Sequence, residues 1–66
     1  MDVPALLDSL EIKPAELARR VGVSDGHIWD LKSRRRRLTL KLAKKIEDAT
    51  GVDGFIDAAI KAELAA

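Results

Sequence analysis

Apolar residues recur at three- and four-residue intervals through almost the whole chain, and no stretch alternates apolar and polar positions for long. That period belongs to amphipathic helices rather than strands. Glycines and capping residues cut the pattern into short pieces. The expected fold is all-α: five short helices in one compact domain spanning residues 1–66. The first helix is predicted over residues 3–10, capped by Asp2, with Pro4 in its first turn and Leu6, Leu7 and Leu10 facing inward. The second covers residues 14–21, opened by Pro14, packed through Leu17, Ala18 and Val21, and stopped by Gly22. The third follows Ser24, a good N-cap, and runs to Lys32 or Ser33, with Ile28 and Leu31 as its core pair and Val23 turned inward from the preceding turn.

A loop over residues 34–38 leads to Thr39, the cap of a fourth helix over residues 40–50. Its predicted core stripe is Leu40, Ala43, Ile46 and Ala49, and Gly51 ends it. Asp53 is the expected cap of a fifth helix over residues 54–64, with Phe55, Ile56, Ala59, Ile60 and Leu64 along one side.

Length limits how much such a fold can bury. A chain of 66 residues hides only about 60% of its unfolded surface, so a bound partner or a second copy is a plausible source of extra stability. Without cysteine there is no disulfide or thiolate zinc site to compensate. No apolar run approaches the roughly 18–20 residues that span a bilayer. The start, Met1-Asp2-Val3-Pro4, has neither the basic nor the apolar region of a signal peptide. The expected setting is cytoplasmic, in a protein of microbial or viral style, with no membrane partner.

A formal net charge of +1 conceals a strong asymmetry. Between Arg19 and Lys45 stand ten basic and two acidic residues, a net of +8, whereas the remainder has two basic and nine acidic, a net of −7. A basic segment in an otherwise acidic chain is the electrostatic footprint of a polyanion partner. An isolated run such as Arg34, Arg35, Arg36 and Arg37 can also be a solvated surface loop, so its neighbours decide its meaning.

Those neighbours are informative. Residues 14–31 read PAELARRVGVSDGHIWDL: a helix, a tight turn containing glycine, and a second helix. Two helices crossing steeply over a short turn need a small residue at their contact, which Ala18 supplies, and Val23, Ile28 and Leu31 seat the second helix on the first. The stretch resembles the phage repressor and Cro type of helix-turn-helix protein, the XRE-like family. Leu17-Ala18, Val21-Gly22-Val23-Ser24, Ile28 and Leu31 carry the likeness, and Ala43, Ile46, Ala49 and Gly51-Val52 extend it over most of the chain.

The resemblance implies a five-helix fold, binding to double-stranded DNA, usually as a homodimer, and a second motif helix that enters the major groove with its N-terminal residues leading. Carried over residue by residue, the groove-facing positions are Ser24, Asp25, Gly26, His27, Asp30 and Ser33, with Trp29 beside them and Arg34, Arg35, Arg36 and Arg37 along the sugar-phosphate backbone. Phe55 and Ile56 match the family's dimer-contact region, and Ile60 and Leu64 extend that stripe, which also has the makings of a core-closing face.

Several positions depart from the family. Many members lead with Gln or Asn, which pair bidentately with adenine; here the leading residues are Asp25 and Gly26. Aspartate accepts from cytosine N4 but repels phosphate. Glycine permits close backbone approach and costs about 1 kcal/mol inside a helix. The expected division is therefore affinity mainly from the four arginines, and base selection from Asp25, His27, Asp30 and one arginine reaching into a groove. Asp30 has a second reading, an i,i+4 pair with Arg34 worth a few tenths of a kcal/mol. His27 is either a contact or solvated. Trp29 either packs at the helix edge or meets the DNA backbone or a thymine methyl.

Two binding classes remain. One is a sequence-specific transcriptional repressor that binds a palindromic operator. The other is an antitoxin or accessory phage regulator whose main partner is another protein, held by the fifth helix or the acidic face. An enzyme is not expected: with one His, no Cys, no Tyr and no phosphate-binding glycine loop, no nucleophile-base pair emerges. The lone His likewise argues against a metal site, and no cofactor is expected.

Overall fold

Each of three helices begins where a side chain replaces a missing backbone partner. In the computed structural model, which describes residues 2–64, Asp2 accepts from the Ala5 N–H at 3.1 Å and starts α1 (Val3–Ser9). Ser24 accepts from the His27 N–H at 3.2 Å and starts α3 (Asp25–Lys32). Thr39 accepts from the Leu42 N–H at 3.2 Å and starts α4 (Leu40–Thr50). Each bond satisfies one of the N–H groups that a helix start leaves open. Between α1 and α3, α2 (Pro14–Val21) opens on proline, and its last turn runs into Gly22 at φ 78°, the left-handed conformation glycine adopts without strain. Met1, Ala65 and Ala66 of the expected 1–66 domain lie outside the described residues.

α5 (Phe55–Leu64) starts differently from expectation. Gly54 has φ 112°, so the helix cannot include it, and the Ile56 N–H is met by the Glu47 carboxylate of α4 at 2.8 Å. The cap of α5 thus comes from the neighbouring helix, not from Asp53.

The five helices close a ring. α1 packs on α3, α3 on α2, α2 on α4, α4 on α5, and α5 returns to α1. Inside lies one apolar cluster drawn from all five helices and from Leu38. No strand occurs among the described residues, and no described helix is long and apolar enough to cross a membrane.

Two core assignments are corrected. The inner stripe of α4 is Leu42, Ala43 and Ile46, entered from Leu38 at 2% exposure, whereas Leu40 is 42% exposed and Ala49 is at the surface. The reason is the cap. With Thr39 as N-cap, Leu38 immediately before it and Ala43 in the helix both point into the cluster, the arrangement of a hydrophobic staple. Val23 before Ser24 and Ile28 in α3 repeat it. The second correction concerns Phe55. It is 0% exposed and sealed by its own chain, so it cannot serve as a dimer contact; Ile56 is half-buried against the core, and Ile60 and Leu64 are exposed.

Candidate nucleic-acid interface

Gly22 and Val23 both donate to the Ala18 carbonyl, at 2.9 and 3.0 Å, which turns the chain sharply between α2 and α3. Ala18 is buried where the two helices meet, and Leu17, Val21, Ile28 and Leu31 surround it. The inner face of α3 is thereby fixed, and the outer face is free for a ligand. Ser24, Asp25, Gly26 and Trp29 are exposed on it; His27 and Asp30 are half-buried at its edges. Trp29, 57% exposed, stands outside the core, with the Lys32 ammonium 5.3 Å from its ring centre. That distance suits a cation–π contact.

Gly26 has no internal justification. A Cβ built there meets nothing within 4 Å, and its φ is not in the left-handed range. Alanine would strengthen the helix here by up to about 1 kcal/mol, the figure for a helix interior. What the glycine provides is a bare backbone on the open face of the first turn.

The end of α3 is an ordered turn, not a frayed loop. The Arg35 N–H donates to the Asp30 carbonyl at 2.9 Å and the Arg34 N–H to the Leu31 carbonyl at 3.3 Å, the bond pair of a Schellman motif. The residue that must turn left-handed is Arg34, at φ 64°. Glycine is the usual occupant of that position; a side chain there carries a cost of order 1 kcal/mol. Ser33 is the exposed C-cap, its hydroxyl 3.4 Å from the Asp30 carbonyl.

All four arginines are exposed, but they are not equivalent. Arg34 pairs with Asp2, and Arg36 lies 3.9 Å from the Asp30 carboxylate. Arg35 and Arg37 have no ion-pair partner among the described residues. The expected Asp30–Arg34 pair is therefore corrected: the left-handed turn swings Arg34 away towards α1 and leaves Asp30 to Arg36.

The structure gathers Ser24 through Arg37 on one helix and its capping turn. It does not bring the α5 residues to them: α5 touches α1 and α4 but neither α2 nor α3. Three residues at this surface, Asp2, Asp8 and Lys32, carry no binding role in the sequence, where Asp2 reads only as a helix cap. Asp2, the cap of α1, pairs with Arg34, and Asp8 within α1 pairs with Lys32 at 3.1 Å. Nothing local signals either pair, because the partners lie in different helices. Among the described residues no three His, Cys, Asp or Glu side chains come together as metal ligands. Comparison with protein-family models, with curated proteins and with solved structures returns no match, so the functional reading rests on the residues themselves.

Proposed function

We propose that this chain is a sequence-specific double-stranded DNA-binding regulator that uses α2 and α3 as a helix-turn-helix of the repressor and Cro type. It acts as a repressor, occupying a palindromic operator as a homodimer. One observation carries the reading: the open face of α3 continues into four exposed arginines, the first three held by an ordered turn and Arg37 directly after it. Phosphates are met by Arg35 and Arg37 first, since no carboxylate competes for them within the described residues, and such contacts fix register on the duplex. Base edges are met by Asp25, by the bare backbone at Gly26 and by Trp29, with His27 and Asp30, half-buried at the edges of the face, contributing from its margins. Asp25 is acceptor-only and suits cytosine N4, and Trp29 suits a thymine methyl.

The dimer uses the outer side of α5, where Ile60 and Leu64 are exposed with Val52 before them and Ile56 at the edge. This stripe also supports the second reading, a different protein as the main partner on α5.

Selection from a random duplex library tests the proposal. The expected result is a two-fold symmetric site with half-sites about one helical turn, roughly 34–36 Å, apart. A selected site with a single unrepeated half would remove the homodimer from the account. Enrichment of no duplex at all would remove DNA binding.

A further inference from the structure

The acids of α1 and the cations at the end of α3 form two ion pairs between helices that are distant in sequence. Asp2 has two partners. One carboxylate oxygen accepts from the Ala5 N–H at 3.1 Å and caps α1, and the other meets the Arg34 guanidinium. Leu6 and Leu7, buried in the core, hold α1 itself in place. Arg34 is fixed by its left-handed turn. One helical step back, the Lys32 ammonium is shared between the Asp8 carboxylate at 3.1 Å and the Trp29 ring.

We propose that Asp2 and Asp8 are internal competitors for the phosphate contacts of Arg34 and Lys32, so that α1 restrains the affinity of the surface for duplex DNA. The inference rests on the DNA-binding reading above and extends it to regulation of that surface. A carboxylate paired with a guanidinium has the same charge and acceptor geometry as a phosphate oxygen pair. A phosphate that takes the Nη2 edge of Arg34 displaces Asp2, and a phosphate approaching either cation meets a carboxylate within ion-pair distance of it. Stability is a weak alternative purpose, because exposed ion pairs add little to a fold and α1 is already anchored by leucines. The arrangement divides the cations of the reading surface. Arg35 and Arg37 stand open for first contact, and Lys32 and Arg34 are held in reserve by α1. A surface built this way binds random duplex less tightly than its charge of basic side chains alone implies.

The test is fluorescence anisotropy with a short random-sequence duplex at about 50 mM salt, where phosphate contacts dominate. Asp2→Asn keeps the cap, since asparagine caps helices as well as aspartate does, and Asp8→Asn alters no cap. Asp48→Asn, exposed on α4, makes the same change in net charge away from this surface and from the outer stripe of α5. Thermal melts followed by circular dichroism establish that each variant is folded. The expected result is that Asp2→Asn and Asp8→Asn each tighten binding about two- to five-fold, the range an exposed pair supports, and that the double variant gains the product. Asp2→Asn made in an Arg34→Ala background is expected to gain no more than Asp48→Asn does. Tightening equal to that of Asp48→Asn, or tightening that survives undiminished without Arg34, overturns the inference while leaving DNA binding in place. If neither wild type nor the Asp2→Asn, Asp8→Asn double variant binds duplex, the DNA-binding reading itself is overturned.

Discussion

Two residues at the proposed DNA-binding surface violate local backbone preference, and the one internal partner either side chain has is the exposed Asp2 beside Arg34. Gly26 weakens the first turn of α3 where nothing inside the protein crowds a Cβ, and Arg34 occupies a left-handed position suited to glycine. Natural chains break such rules mainly at functional sites. Gly26→Ala and Arg34→Gly are therefore expected to raise thermal stability by about 0.5–1 kcal/mol each and to weaken duplex binding. Melting curves and anisotropy on the same samples check both signs. A variant that gains stability and binds as well as wild type contradicts the role assigned to that residue. At this scale the sequence was readily legible where chemistry is local. Asp2, Ser24 and Thr39 cap as their residue types dictate, and Gly22 and Gly51 turn left-handed as expected. Arg34 was not legible, because no composition rule nominates an arginine for φ 64°.

At the scale of the element, α4 and α5 depend on each other. The N–H of Ile56 has Glu47 as its acceptor at 2.8 Å, a charged group in a half-buried position. Glu47→Ala is expected to cost about 1–2 kcal/mol, within the range for lost caps and charge-assisted bonds. In a chain of this size that lowers the melting temperature by about 4–8 °C per kcal/mol. Glu47→Gln, which keeps an acceptor oxygen, is expected to lose less. Equal melting temperatures for wild type and Glu47→Ala would falsify the cap. Existence and order of the five helices could be read from periodicity and punctuation. The phase of α4 could not be read from its own stripe, since Leu40, Ala43 and Ile46 also sit at helical spacing. The Leu38–Thr39 pair settles it: an apolar residue just before a cap belongs to the core, which makes Leu42 and Ala43, not Leu40, the inward pair. The α5 cap was beyond sequence reasoning because Glu47 reaches it across a helix contact.

For the whole molecule, the contact ring separates two jobs. Phe55 closes the ring from within, and Ile60 and Leu64 face out. Truncating a buried Phe to Ala costs about 3–5 kcal/mol. A chain of 66 residues has only about 3–10 kcal/mol of stability in total. Phe55→Ala is therefore expected to be largely unfolded by circular dichroism. Ile60→Asp is expected to stay folded while sedimenting as a monomer, and a folded dimer of Ile60→Asp contradicts the assignment of α5 to self-association. The charge asymmetry was fully visible in the sequence. Its internal pairing was not, since Asp2 and Asp8 reach the basic surface only through the packing of α1 on α3.

The central claim is that α3 and its capping turn bind duplex DNA through unpaired arginines, and the salt dependence of binding tests it most directly. Each phosphate neutralised contributes about −0.9 to the slope of log affinity against log salt. Replacing both Arg35 and Arg37 by alanine is expected to weaken binding across sequences and to reduce the magnitude of that slope by about 2, roughly one for each arginine. A wild-type slope near zero, or one unchanged in the double variant, contradicts the account.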